Sequence, residues 1–99
     1  MAKKETDKKM EYLFDCILSL KTADECSAFF EDLCTVSEII EMSNRMTAAK
    51  MLYEGKTYTE IIDETGLSTA TISRVNRCIK YGSDGYLTVL NRVGDGENK

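Results

Sequence analysis

The residues with chemistry to offer are concentrated at positions 57–80, which read TYTEIIDETGLSTATISRVNRCIK. Thr69, Ala70, Thr71 and Ser73 are small, and their hydroxyls and methyls suit base edges or thymine methyls in a major groove. Arg74, Arg77 and Lys80 follow, and no Asp or Glu lies between Ser68 and Tyr81. Cations free of acids along one helix are what phosphate contacts need. Lys56 and Thr57, with the backbone N–H groups of Ser68, Thr69 and Ala70, would add phosphate contacts at helix starts. No Arg, Asn or Gln stands in the first turn of this helix. Bidentate reading of guanine or adenine by one side chain is therefore scarce, and modest or water-mediated specificity is expected. The same three cations would also serve a plainly solvated helix face.

Such residues need a frame that presents them outward. The pattern fits a helix-turn-helix: a short helix, a tight turn, and a second helix packed across the first. Ile61 and Ile62 supply the apolar face of the first helix, near 57–64. Gly66 supplies the turn, where the chain adopts positive φ, and Leu67 plugs beneath it. Ile72, Val75 and Ile79 recur at steps of three and four and make the buried stripe of the second helix, 69–81.

The rest of the chain also reads as helix. Met10, Leu13, Phe14, Ile17 and Leu20 mark a first helix near 6–20. Phe29, Phe30 and Leu33 mark a second near 23–33, and Ile39, Met42, Met46 and Ala49 a third near 37–54. Thr22/Glu25, Thr35/Glu38 and Thr57/Glu60 each fit the capping box, in which hydroxyl and carboxylate satisfy each other's backbone N–H groups. Gly55 and Gly82 stand where helix ends favour a left-handed residue. A sixth helix is expected over 83–93, with Asp84 in its first turn, followed by a flexible tail over 94–99. Residues 3–9 form a mixed-charge leader, partly disordered in expectation. The fold class is all-α, a single domain over 1–99.

Composition narrows the functions. With no His among 99 residues, Ser-His-Asp, Cys-His and His-zinc chemistry are excluded. Cys16, Cys26, Cys34 and Cys78 form no C-x-x-C pair and match no zinc spacing, so free thiols in the core are expected. Asp63 and Glu64 are adjacent on a short helix and point apart, so no enzyme is indicated. No uncharged run reaches the roughly 18 residues of a membrane span, and the charged start lacks an apolar signal core. A cytoplasmic protein without a membrane partner is expected.

The net charge is −4, and it is segregated: residues 5–41 hold three Lys against ten Asp or Glu. The acid thus lies apart from the proposed groove-facing helix. A chain of this length has a modest core, which favours interlocking with a second copy. A helical protein-interaction module, whose acidic first half binds a partner, remains the alternative.

From Thr35 to Lys80 the chain resembles the Trp repressor superfamily, and within it the YerC/YecD-type small regulators. Ser43-Asn44-Arg45, Leu52-Tyr53-Glu54-Gly55, Glu60-Ile61, Thr65-Gly66 and Ala70-Thr71-Ile72-Ser73-Arg74 carry the resemblance. It implies a six-helix fold with a helix-turn-helix, an intertwined homodimer, and a cytoplasmic regulator, by family a repressor, on double-stranded DNA. Leu13, Phe14, Ile17, Phe29, Phe30 and Met42 would then serve the dimer interface, or else an ordinary core. The resemblance further implies a pocket for a small-molecule corepressor. Arg45 and Arg74 match the arginines that sandwich tryptophan, and Thr35 a pocket threonine. Val75 stands where the family has a glycine under the indole, and Cys78 where it has a serine. Both departures argue against tryptophan, leaving another anion, or no ligand, for the arginines.

Overall fold

The computed structural model describes residues 5–93. Among these it contains six α-helices and no strand: α1 (Glu5–Leu18), α2 (Ala23–Leu33), α3 (Val36–Tyr53), α4 (Tyr58–Thr65), α5 (Thr69–Tyr81) and α6 (Gly85–Val93). They fall into two compact units, one ending at Ile39 and one beginning at Ile40. The expected tail over 94–99 lies outside the described residues, as do residues 3–4 of the leader; residues 5–9 are helical.

The first unit holds α1 and α2. Thr22 caps α2 by accepting from the Glu25 N–H at 3.1 Å. The expected reciprocal bond is displaced by one residue: the Glu25 carboxylate accepts from the Lys21 N–H, at 2.8 Å. At the start of α3 the box closes as expected, Thr35 N–H to Glu38 at 2.8 Å and Glu38 N–H to Thr35 at 3.1 Å. Phe29 and Phe30 meet edge to face, with centroids 5.4 Å apart. Yet none of residues 7–39 is buried, although the unit carries Leu13, Phe14, Ile17, Phe29 and Phe30.

The second unit is organised by α3. Ala48 and Ala49 are completely buried and, one residue apart, face two different clusters. Ala48 packs with Ile61, Leu67 and Ile72, with Met51, Leu52 and Tyr58 around them. Ala49 packs with Val75 and Leu90, bordered by Met46, Leu52, Ile79 and Tyr86. Through these two consecutive small side chains α3 shares one cluster with α4 and α5 and the other with α5 and α6. Ile62 is exposed rather than buried, so α4 presents one isoleucine to the core and not two.

Helix ends account for the remaining differences. α3 ends in a Schellman turn: Gly55 takes φ +85, its N–H donates to Leu52, and the Lys56 N–H donates to Met51. Gly82 does not adopt the expected left-handed conformation; it is extended, at φ −86 and ψ −151. Glycine is needed there for space, because an added Cβ would collide with the Cys78 carbonyl oxygen. Asp84 is not in the first turn of α6. It precedes the helix at φ +65, and its carbonyl accepts from the Thr88 N–H at 2.9 Å. The sixth helix therefore begins at Gly85. The four cysteines are free; Cys26 is exposed and the others are half-buried, so none is a full core residue. No described helix is long and apolar enough to cross a membrane.

Candidate nucleic-acid interface

The helix-turn-helix is fixed at three points. α4 begins with a complete capping box: the Glu60 N–H donates to Thr57 Oγ1 at 3.2 Å, and the Thr57 N–H donates to Glu60 Oε1 at 2.9 Å. The Thr57 backbone bond, its hydroxyl and the charge of Lys56 together hold the Glu60 carboxyl below its ordinary pKa. α4 ends at Gly66, at φ +73, whose N–H reaches Ile62 O at 2.8 Å. Within the turn, the Thr65 hydroxyl donates to Ile61 O at 2.7 Å and accepts from the Leu67 N–H at 3.2 Å. Ser68 then caps α5, accepting from the Thr71 N–H at 3.2 Å. Leu67, Ile61 and Ile72 are buried together beneath this turn.

That packing decides what α5 turns outward. Thr69, Ala70, Ser73, Arg74, Arg77, Lys80 and Tyr81 are exposed, at helical steps of three and four. Ile72 and Val75 are buried on the opposite side. The outward face carries three cations and no acid. Among the described residues, no ion pair involves Arg74, Arg77 or Lys80. Lys56 and Thr57 are exposed at the entry to α4, and Ser68 at the entry to α5. Thr71 differs from its neighbours. It is half-buried, and its hydroxyl accepts from the Ser68 hydroxyl at 3.1 Å, so it completes the cap.

One residue at this surface has no signal in the sequence pattern. Tyr58, the first residue of α4, leans its ring on the Ala48–Ile61–Leu67–Ile72 cluster, and its hydroxyl lies 3.5 Å from Ser73 Oγ. A lone tyrosine after a capping threonine reads equally as core or surface; only the crossing of α4 over α5 brings its hydroxyl to Ser73.

By the resemblance, Thr35, Arg45, Arg74 and Cys78 match a corepressor pocket. Arg45 is engaged by Glu41 one turn earlier, Nε and Nη2 each 3.1 Å from Glu41 Oε2. Arg74 stands on the outward face of α5. Cys78 lines an open cleft of about 490 Å³ with Met46, Gly82, Ser83, Gly85, Tyr86 and Val89; neither arginine lines it, nor does any charged side chain. Thr35 lies in the first unit. Val75 is packed against Ala49 and Leu90, so its methyls are part of the core.

Residues 8–94 match the family model described as Trp repressor protein. The chain belongs to the Trp repressor family. It is similar to YerC of Bacillus subtilis (strain 168), an uncharacterized protein, at 52% identity over 93% of this chain and 88% of that one. It is also similar to the crystal structure of a TrpR-like protein from Eubacterium eligens ATCC 27750. That match has a TM-score of 0.84 and 55% identity, over 88% of this chain and 90% of the other. A third relative is a Staphylococcus aureus protein described as a candidate Trp repressor. Its crystal structure matches with a TM-score of 0.83 and 45% identity, over 93% and 96% of the two chains. The six-helix Trp-repressor-like fold thus agrees with the sequence reading, and the family is one of helix-turn-helix DNA-binding regulators.

Proposed function

We propose that this member of the Trp repressor family is a sequence-specific transcriptional repressor, acting as an intertwined homodimer on a palindromic operator in the cytoplasm. The observation that carries the reading is the outward face of α5: Thr69, Ala70, Ser73, Arg74, Arg77 and Lys80, all exposed and without an acidic neighbour on that helix. Arg74, Arg77, Lys56 and Thr57 bind phosphate, helped by the N–H groups opening α5, and set register. Thr69, Ala70 and Ser73 face the bases, and Thr71 supports them by holding Ser68 in place. Helix-turn-helix dimers, the Trp repressor among them, place half-sites about one helical turn apart, and that spacing is expected here.

The dimer rests on the first unit. Phe14 and Leu18 are exposed, with no buried residue over 7–39 to satisfy them. A second copy would remove that apolar surface from water.

DNA binding in this reading does not depend on tryptophan. Val75 is packed with Ala49 and Leu90 at the position where the resemblance has a glycine under the indole, Cys78 lines a cleft without charged residues, and Arg45 is engaged by Glu41. A corepressor, if this chain uses one, is a different molecule held through Arg45, Arg74, Thr35 or Cys78.

The test is selection from random duplex DNA on the purified protein, with and without a panel of amino acids. Enrichment of a palindrome in the absence of tryptophan supports the reading. No enrichment under any condition overturns it and favours a protein-interaction module.

A further inference from the structure

The hydroxyls of Tyr58 and Ser73 come from different helices and lie 3.5 Å apart, Ser73 being on the outward face of α5. Ser73 lies one turn after Thr69 and one turn before Arg77, in the row offered to DNA. Tyr58 is anchored: its ring is half-buried on the Ala48–Ile61–Leu67–Ile72 cluster, which limits the freedom lost when its hydroxyl engages a ligand. Their 3.5 Å separation is long beside the roughly 2.5–3.0 Å of a settled O–H···O bond. Engaging one base edge with both hydroxyls requires them to draw closer than this.

Resting on the DNA-binding reading, we propose that Tyr58 and Ser73 act together as a specificity-determining pair that reads one base edge and prefers adenine to guanine. Each hydroxyl has one hydrogen and two lone pairs. When one donates to the other, its hydrogen is used, while the second hydroxyl keeps a hydrogen to turn outward. The linked pair thus presents one donor beside one acceptor, the pattern of an Asn or Gln amide. Adenine offers the complement in the major groove, an N7 acceptor and an N6 donor. Guanine offers two acceptors, N7 and O6, and meets the pair only if the hydroxyl–hydroxyl bond breaks and both hydrogens turn outward. This supplies the two-point reading that the first turn of α5 lacks, having no Arg, Asn or Gln there.

The test compares the base preferences of the wild type, Tyr58→Phe, Ser73→Ala and Ser73→Thr by selection from random duplexes, with salt titrations on the best duplex. Expected for the wild type is an A·T over G·C preference of about tenfold at one position per half-site, the scale of one bidentate contact. Tyr58→Phe and Ser73→Ala should each abolish that preference while leaving the other positions and the salt dependence unchanged. Their double variant should do no more than either alone, as for residues acting as a unit. Ser73→Thr, which retains the hydroxyl, should keep the preference. Thermal melting of Tyr58→Phe should match the wild type, since the ring stays in place. Unchanged preferences at every position in both single variants would overturn the proposal. So would uniform weakening with a reduced salt slope, which would make the pair a phosphate contact. A wild type that binds no duplex would instead remove the DNA-binding reading itself.

Discussion

Thr57 and Glu60 satisfy each other's backbone N–H groups at the start of α4, at 2.9 and 3.2 Å. This reciprocal pair sets where the helix-turn-helix begins, and with it the position of Tyr58 immediately after the cap. Because Glu60 acts in it as a carboxylate, the pair is sensitive to acid.

Stability should therefore fall on acidification partly through Glu60. Its pKa in the folded chain is lowered from an ordinary 4.5 by the Thr57 backbone and hydroxyl bonds and by Lys56. A group with a lowered folded pKa stabilises the fold fully above its unfolded pKa and loses that contribution as pH falls through the folded value. Urea midpoints measured from neutral to strongly acid pH should decline below the ordinary glutamate range. In Glu60→Gln the decline should be shallower. A variant with the same acid limb as the wild type would show that Glu60 contributes nothing to it.

The two isoleucines of α4 should behave differently when truncated. Ile61 is completely buried, as is Ile72 across from it, whereas Ile62 is exposed. Ile61→Ala and Ile72→Ala should each cost about 3 kcal/mol, in the range for buried aliphatic truncations. Ile62→Ala should cost under about 0.5 kcal/mol, as for a surface change. Denaturant unfolding of the three variants checks this ordering; a large loss at Ile62 would mean that its side chain is covered by another copy.

This pair of isoleucines also marks the limit of reading the sequence. Periodicity locates the apolar side of an eight-residue helix but does not separate two neighbours at its edge. The long helices, the Gly66 turn and the buried stripe of Ile72 and Val75 are legible because each rests on local rules of spacing and capping. Spacing alone does not settle which of several local partners a helix end takes, nor which contacts a helix crossing makes. Glu25 turned to Lys21, Asp84 fell outside α6, and Gly82 is needed for the space beside Cys78 rather than for its φ. Of the site, the cations and hydroxyls of α5 are evident from composition along one helix. Tyr58 is not, because its hydroxyl reaches Ser73 only through the crossing of α4 and α5.

Tryptophan should leave the protein unchanged. A ligand that binds only the folded chain raises stability by about 2.7 kcal/mol when present at a hundred times its dissociation constant. With Val75 occupying core space and Arg45 engaged by Glu41, millimolar tryptophan should shift neither the thermal midpoint nor the affinity for DNA. A clear upward shift would show a pocket formed by rearrangement of these residues.

The outward face of α5 is tested most directly by the salt dependence of duplex binding in an Arg74→Ala/Arg77→Ala variant. Each phosphate contact removed lowers the slope of log affinity against log salt by about 0.9. Fluorescence anisotropy titrations across a salt series should give weaker binding at every concentration and a slope reduced by about two. A double variant with the affinity and slope of the wild type would contradict docking through this face.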